Sequence, residues 1–203
     1  MGEVITDYID LKPAMDPILR LAGWLWLAIF VLWALLSLTS KKTVGSGTDA
    51  RARIALWGVM LSWLILFNPG IRRGPLGIRF LPMNPAFSYV GLALTIIGLG
   101  FAVWARFVIG RNWGGLITVQ KDHQLMRTGP YGIVRHPIYS GFMLATLGTA
   151  IILGDVGGLV SVALIVVAWG YKARMEESFM IEHFGAEYEE YRRHVKGLIP
   201  GIW

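Results

Sequence analysis

The segment His123-Gln-Leu-Met-Arg-Thr-Gly-Pro-Tyr-Gly-Ile-Val-Arg-His-Pro-Ile-Tyr-Ser-Gly141 is a polar stretch that leads directly into an apolar one. It combines Arg135 and His136 with two tyrosines and with two proline-fixed points, Gly129-Pro130 and His136-Pro137. Ionisable side chains close to a membrane are rare unless they have a task. We therefore look for function in this segment and treat the apolar chain around it as the scaffold.

The composition indicates a single membrane domain. Of the 203 residues, 55% are hydrophobic and 16% are charged. The absence of cysteine excludes disulfides, thiolate catalysis and Cys-ligated metals. The net charge of +6 is better explained by basic flanks on the cytoplasmic side and by anionic membrane lipid than by nucleic acid. The first sixteen residues are acidic rather than basic, so we expect no cleaved secretory leader.

The distribution of apolar residues predicts an all-α integral membrane protein with about five transmembrane helices. The last two are expected to form a tight helical hairpin around the glycine-rich turn at 154–158. An amphipathic C-terminal helix is predicted from Met180, Phe184, Tyr188, Tyr191 and Val195, which recur at helical spacing. The five apolar segments are 21–40, 54–67, 80–105, 136–154 and 156–171.

The basic residues that flank loop 41–53 place this loop in the cytoplasm and the N-terminus outside. Loop 68–85 should then face outside, although it is also basic. We expect a single domain over 1–203, with N-terminal transmembrane helices in 1–105 and a cofactor-binding connector, hairpin and tail in 106–203. The size of the chain suggests a prokaryotic cytoplasmic (inner) membrane. The glycines of the third span, Gly91, Gly98 and Gly100, are expected to pack helix against helix and not to bind a dinucleotide.

The hairpin returns on itself, so Arg135-His136 and Glu176-Glu177 are expected to be neighbours on the cytoplasmic face. We expect no metal, because none of the four histidines has a partner histidine three or four positions away. A Ser-His-Asp hydrolase is also disfavoured, because the chain has no nucleophile elbow.

The runs His123 to Tyr131 and Arg135 to Gly141 closely resemble the isoprenylcysteine carboxyl methyltransferase and phospholipid methyltransferase family. So do Glu176-Glu177 and the following Phe184-Gly-Ala-Glu-Tyr188, and the resemblance extends over about residues 106–200. It implies an integral membrane enzyme that transfers a methyl group from S-adenosyl-L-methionine to a lipophilic acceptor from the bilayer. S-adenosyl-L-homocysteine would be the product, and the cofactor would enter from the cytosol.

The resemblance also implies the site residues. Arg174, Glu177 and Arg135 are the catalytic candidates, although Lys172 and Arg174 both precede the glutamate pair and either could hold the acceptor. A carboxylate suits the cofactor's ammonium, and a tyrosine ring could face its sulfonium by a cation–π contact worth roughly 0.5–2 kcal/mol. The cofactor-binding candidates are Gln120, His123, Leu125, Met126, Tyr131, His136, Pro137, Tyr139 and Glu176.

The acceptor is expected to be a prenylcysteine-type or other carboxylate, because basic residues precede the glutamate pair. A phospholipid amine such as phosphatidylethanolamine is the alternative, and it would require Glu177 or His136 to remove a proton. Two further alternatives are a sterol-type reductase that uses NADPH and a membrane scaffold without enzymatic activity.

Overall fold

The computed structural model describes residues 2–38, 45–46, 50–110, 113, 118–119 and 125–202, with side chains described from residue 17 onward outside the two short strands and the start of α2. Within these residues the fold is almost entirely helical, which confirms the predicted all-α class. Two short strands, β1 (Gly45–Ser46) and β2 (Thr118–Val119), pair antiparallel. The helices are α1 (Gly2–Ser37), α2 (Ala50–Phe67), α3 (Pro85–Ile109), α4 (Pro137–Leu153), α5 (Val156–Phe184) and α6 (Ala186–His194).

Three helical segments are long and apolar enough to cross a membrane: Pro17–Ser37, Pro85–Ile109 and Val156–Phe184. Two shorter apolar helices, Ala52–Phe67 and Pro137–Leu153, lie beside them. These five segments correspond to the five predicted from the sequence. Whether both shorter helices cross the whole membrane stays a prediction.

Trp26 of α1 is the centre of the apolar core. Its side chain is 1% exposed, and its indole Nε1 donates a 3.0 Å hydrogen bond to Oγ1 of Thr149 on α4. The rings of Trp63 on α2 and Phe142 on α4 lie 5.6 and 5.9 Å from the Trp26 ring. Aromatic pairs at this distance attract one another beyond the effect of burial alone, so these contacts fasten three helices together.

α3 and α4 cross at glycines, as the sequence predicted for Gly91 and Gly98. A Cβ atom added to Gly98 would lie 2.5 Å from the carbonyl oxygen of Gly141, and one added to Gly91 would lie 2.5 Å from the carbonyl oxygen of Gly148. Gly91 and Gly98 are seven residues apart on α3, and Gly141 and Gly148 are seven residues apart on α4. The two glycines of each helix therefore lie on the same face. Gly100 differs, because a Cβ there would meet nothing within 4 Å.

Arg106 joins the ends of α1 and α3, and its side chain is 2% exposed. The guanidinium donates to the carbonyl oxygens of Leu36 at 2.8 Å and Gly110 at 2.6 Å. It also lies 4.8 Å from the ring of Trp113. A buried cation is costly unless such groups replace its water, and these contacts fix the end of the bundle from which the connector leaves.

The predicted hairpin of α4 and α5 turns at Gly154, whose φ of 63° favours glycine. Asp155 follows as the N-cap of α5 and accepts a 2.8 Å hydrogen bond from the amide of Gly158. The same carboxylate binds Arg72 at 2.5 Å, and Arg79 donates to the carbonyl of Leu153 at 2.5 Å. Two of the basic residues in loop 68–85 therefore hold the hairpin turn.

The C-terminal amphipathic helix differs from the expectation at its start. α5 does not end at residue 171 but continues through Lys172 to Phe184. The chain then breaks at Gly185, where φ is +55°, and resumes as the short helix α6. The predicted apolar stripe is thus divided between the last turns of α5 and α6, because a glycine at this φ ends one helix and redirects the next.

Candidate functional site

A 3₁₀ turn over Gly129–Gly132 and the proline at the start of α4 shape the polar segment. Pro130 occupies the turn, and Tyr131 beside it is 7% exposed. His136 is the N-cap residue of α4, and Pro137 fills the first helical position, where its missing N–H costs nothing. The two prolines therefore set the direction in which the side chains of 131–136 leave the backbone.

The chain after α6 closes over this segment by backbone hydrogen bonds. The amides of Arg135 and His136 donate to the carbonyls of Lys196 and Gly197 at 2.8 and 3.0 Å. Oγ of Ser140 donates to the carbonyl of Leu198 at 2.6 Å. We call residues 195–198 the closing segment. Because it supplies the backbone partners of Arg135 and His136, the segment helps to fix the site.

Glu177 on α5 is held by the two basic residues that precede α4. Nε and Nη2 of Arg135 donate to its Oε1 at 2.9 and 2.5 Å, and Nε2 of His136 lies 3.2 Å from the same oxygen. Arg135 also donates through Nη1 to the carbonyl of Val195. One guanidinium therefore connects α5, the start of α4 and the closing segment.

Glu176 carries a different set of partners. The hydroxyl of Tyr139 donates to its Oε1 at 2.5 Å, and Nζ of Lys172 binds the same oxygen. Lys172 Nζ also donates to the Tyr139 hydroxyl at 2.6 Å. Nδ1 of His136 lies 3.5 Å from Oε2 of Glu176. His136 is therefore between the two carboxylates, and each of them has its own cation.

Aromatic rings form the apolar side of this cluster. The ring of Tyr139 stacks on Trp169 at 4.1 Å and lies parallel to the imidazole of His136 at 5.5 Å. Nζ of Lys172 is 5.1 Å from the centre of the Tyr139 ring and 5.9 Å from that of Trp169. The Lys172 side chain is only 2% exposed. A cation thus lies between a carboxylate and two aromatic faces, out of water.

The electrostatic environment favours protonated His136. Burial by itself lowers the pKa of His136, but hydrogen bonds with Glu176 and Glu177 and their negative charges outweigh burial and raise the pKa above 6.5. Burial, followed by the charge of Glu176, raises the pKa of Tyr131. Burial also raises the pKa of Tyr191 to about 12. These tyrosines are therefore neutral hydroxyl groups at neutral pH.

The structure brings together most of the candidates named from the sequence. Arg135, His136, Tyr139, Glu176 and Glu177 form the cluster described above. Tyr131 is fixed by the hydroxyl of Tyr191, which donates to its carbonyl at 2.5 Å, while Pro137 is buried at the start of α4. Leu125 and Met126 are half-buried ahead of the 3₁₀ turn. Gln120 and His123 lie outside the described residues.

Arg174 and Lys172 occupy opposite sides of α5. Two positions correspond to 200° around a helix, so the two side chains cannot share a face. Lys172 is the one that contacts Glu176, whereas Arg174 is exposed. The spacing of four residues between Lys172 and Glu176 could have indicated this from the sequence. Trp169 precedes Lys172 by three residues on the same helix, so helical spacing could have indicated it as well. The closing segment could not be inferred in that way, because only the tertiary fold brings it to the site.

Among the residues that the structure describes, no group of three or more His, Asp or Glu side chains is arranged to hold a metal ion. In the same part of the chain, the buried Nε1 of Trp169 has no hydrogen-bond partner. Buried polar atoms are usually satisfied, so this indole N–H, whose ring stacks on Tyr139, is an unused donor beside the cluster.

Comparison with known proteins identifies the same part of the chain. The family model for phospholipid methyltransferase matches residues 87–187. The probable protein-S-isoprenylcysteine O-methyltransferase of Oryza sativa subsp. indica is 37% identical over 120 residues, which cover 57% of this chain and 62% of that protein. Protein-S-isoprenylcysteine O-methyltransferase B of Arabidopsis thaliana is 33% identical, and the match covers 68% of this chain and 66% of the relative. The match to the Saccharomyces cerevisiae protein-S-isoprenylcysteine O-methyltransferase, 36% identical, covers 57% of this chain and 49% of the relative.

A solved structure supports the fold. The eukaryotic intramembrane Ras methyltransferase, an isoprenylcysteine carboxyl methyltransferase, superposes with a TM-score of 0.51 at 26% identity, covering 78% of this chain and 55% of that one. The chain therefore matches less than two thirds of the length of these relatives. The part matched by the family model contains the charged cluster, the α4–α5 hairpin and nearly all of α3. This chain is an integral membrane protein that belongs to the family of isoprenylcysteine carboxyl methyltransferases and phospholipid methyltransferases.

Proposed function

We propose that this protein transfers a methyl group from S-adenosyl-L-methionine to the carboxylate of a prenylcysteine-type acceptor in the bilayer. The observation that carries the proposal is the buried cluster in which Glu176 and Glu177 meet His136, Tyr139 and Lys172. It lies where a long apolar helix becomes charged, so a water-soluble cofactor and a lipophilic acceptor can approach it from different sides. The matched relatives, whose names specify isoprenylcysteine O-methyltransferases, support the same reaction.

The donors and acceptors in the cluster fit this cofactor. Carboxylates suit an ammonium group, and N–H groups such as those of His136 and Trp169 can donate to a carboxylate. The aromatic rings of Tyr131 and Tyr139 provide surfaces for a sulfonium, at roughly 0.5–2 kcal/mol for such a contact. We assign Glu176 to the ammonium and His136 to the carboxylate. Pro137 fixes the direction of His136, and Leu125 and Met126 would contribute backbone groups.

S-adenosyl-L-methionine supplies a methyl group that is activated by a positively charged sulfonium, and the sulfur leaves as a neutral thioether once the methyl group is transferred. The chain has to hold the acceptor oxygen in line with that methyl group, and positioning of this kind can contribute on the order of 7–11 kcal/mol. Lys172 or Arg174 would hold the acceptor carboxylate, and the geometry favours Lys172 because it is buried against the Glu176 cluster. Arg135 and Glu177 would fix the walls of the site. The roles of Gln120 and His123 stay predictions.

A carboxylate acceptor is favoured over an amine by the state of Glu177. An attacking carboxylate has no proton to lose, whereas a protonated amine needs a base. Glu177 accepts two hydrogen bonds from Arg135 and lies 3.2 Å from Nε2 of His136, so it is a poor base. The amine alternative, phosphatidylethanolamine, rests on the phospholipid methyltransferase model that matches residues 87–187.

We further propose that the site faces the cytoplasm. Arg174, Arg192, Arg193 and Lys196 lie at the site end of α5 and α6, as the positive-inside rule requires of a cytoplasmic surface. The prokaryotic membrane suggested by chain size has no further support, and the relatives described above are eukaryotic.

Titration calorimetry with S-adenosyl-L-homocysteine tests the proposal. The detergent-purified protein is expected to bind it at micromolar concentration, and His136→Ala and Glu176→Ala are expected to weaken binding at least tenfold. Arg193→Gln is the matched control, because this exposed arginine forms a surface pair with the nearby Glu190. A folded protein that does not bind S-adenosyl-L-homocysteine would contradict the methyltransferase assignment. Binding of NADPH would then favour a reductase, and binding of neither would favour a scaffold. The acceptor is then decided by comparing the rates at which the protein methylates farnesylcysteine and phosphatidylethanolamine.

A further inference from the structure

Lys172 is surrounded by groups that would suit any small cation. Its Nζ contacts Oε1 of Glu176 and the hydroxyl of Tyr139, and it faces the rings of Tyr139 and Trp169 at 5.1 and 5.9 Å. These are the groups that the proposed function assigns to the positive charges of the cofactor. The chain therefore supplies a cation of its own to the carboxylate that is expected to bind the cofactor's ammonium.

Two cations on one buried carboxylate would repel one another. In a site that is largely shielded from water, this repulsion is several times stronger than in bulk water. A cofactor ammonium that binds Glu176 must consequently displace Lys172 or share the carboxylate at a considerable cost. Displacement is feasible, because lysine has a flexible four-carbon stem. Its ammonium is also a compact charge that lacks the rigid, forked geometry of a guanidinium.

We propose that Lys172 is a displaceable cation that couples the binding of the two substrates. When the cofactor's ammonium takes its place on Glu176, the freed ammonium of Lys172 turns to the carboxylate of the acceptor. The inference rests on the proposed function and adds to it that one residue serves both substrates in turn.

The position of Lys172 on α5 supports this exchange. Glu176 lies one turn further along the helix, toward its charged end, and Trp169 lies about one turn back, toward the apolar core. Lys172 is thus between the polar and the apolar parts of the site. A short movement of its ammonium away from Glu176 leads toward the side from which a lipophilic acceptor would arrive.

The exchange predicts positive coupling between the substrates. The acceptor carboxylate should bind poorly while Lys172 is paired with Glu176, and better once the cofactor has released it. By linkage, the acceptor must raise the affinity for the cofactor by the same factor. A neutral side chain at 172 should remove the competition at Glu176 and the coupling together.

Calorimetry at pH 8 with the detergent-purified protein tests the inference. S-adenosyl-L-homocysteine is titrated with and without N-acetyl-S-farnesylcysteine into wild type, Lys172→Met, Lys172→Arg and Arg193→Gln. We expect the acceptor analogue to tighten S-adenosyl-L-homocysteine binding at least fivefold in wild type and in Arg193→Gln. Lys172→Met is expected to bind S-adenosyl-L-homocysteine at least fivefold more tightly than wild type and to show no coupling. Lys172→Arg keeps the charge but has a fixed fork that is harder to displace from Glu176, so it should bind S-adenosyl-L-homocysteine more weakly than wild type.

The outcomes separate this inference from the proposed function. If wild type binds S-adenosyl-L-homocysteine but Lys172→Met binds it equally or more weakly, the proposal that Lys172 is displaced is wrong. The methyltransferase proposal then stands. The absence of coupling in wild type also overturns the inference and needs no variant, so it remains decisive if Lys172→Met fails to fold. If folded wild type does not bind S-adenosyl-L-homocysteine at all, the proposed function and the inference fall together.

Discussion

At the scale of single residues, Arg135 has an unusually large structural role. Its guanidinium reaches Glu177 of α5 and the carbonyls of Arg192 and Val195 at the end of α6. Its own amide is bound by the closing segment. A planar fork with several N–H groups can serve such a set of acceptors, and a single ammonium cannot.

Arg135→Lys should therefore destabilise the protein although the charge is kept. We expect a loss of about 1–3 kcal/mol, because buried acceptors lose their donors, together with weaker binding of S-adenosyl-L-homocysteine. Arg192→Lys is the matched control, since Arg192 is 43% exposed and its pair with Glu189 is a surface one. Thermal unfolding in detergent measures both variants. Equal melting temperatures for Arg135→Lys and wild type would contradict the role of the fork.

His136 should make stability depend on pH. Its pKa in the folded protein is raised, mainly because Glu176 and Glu177 outweigh the opposing effect of burial. A raised histidine pKa contributes stability that is fully present below about pH 6.5, the unfolded value, and is lost as pH rises through the folded pKa. The melting temperature should thus fall across this range in wild type. In His136→Gln the fall should be smaller, and an unchanged slope would show that His136 does not cause it.

At the scale of elements, the crossing of α3 and α4 depends on glycine. Gly98→Ala should push the helices apart, because its Cβ would lie 2.5 Å from the backbone of α4. Overpacking of this kind costs typically about 1–3 kcal/mol. Gly100→Ala lies on the same helix and meets nothing within 4 Å, so it should be neutral or stabilising by up to about 1 kcal/mol. Thermal unfolding compares the two, and an equal effect would mean that helix propensity, not contact, decides.

The turn between α4 and α5 is a second element that can be tested alone. Asp155 caps α5 and pairs with Arg72, and the two side chains are 7% and 13% exposed. Removing one partner of a buried pair costs about 3–5 kcal/mol. We expect Asp155→Ala and Arg72→Gln each to lower stability, and the double variant to lose less than their sum. Additive losses in a double-mutant cycle would show that the pair does not interact.

At the scale of the whole molecule, the absence of cysteine makes the orientation easy to measure. Arg73 is exposed near the α4–α5 turn, and Arg193 is exposed at the other end of α5, on α6. We expect a membrane-impermeant maleimide to label Arg73→Cys in intact cells and Arg193→Cys only after permeabilisation. Labelling in the reverse pattern would place the site outside.

The sequence could predict much of this arrangement, because apolar periodicity and glycine breaks are local signals. Residues such as Arg135, His136 and Glu176 could be placed together because a hairpin has to return. The continuation of α5 to Phe184 was missed, since the charged residues from Lys172 onward do not show whether a helix stops or only leaves the membrane. The bonds between 135–136 and the closing segment depend on tertiary contacts across about 60 residues, which no local pattern contains. The division of the chain at residue 105 stays a prediction.

The closing segment also has a consequence for the timing of synthesis. The backbone partners of Arg135 and His136 are the carbonyls of Lys196 and Gly197. The ribosome adds these two residues about sixty positions after Arg135 and His136. A nascent chain that already has its apolar helices in the bilayer still lacks these bonds. These backbone bonds can therefore form only after residues 196–198 have left the ribosomal tunnel, when the helices that precede them have already been synthesised.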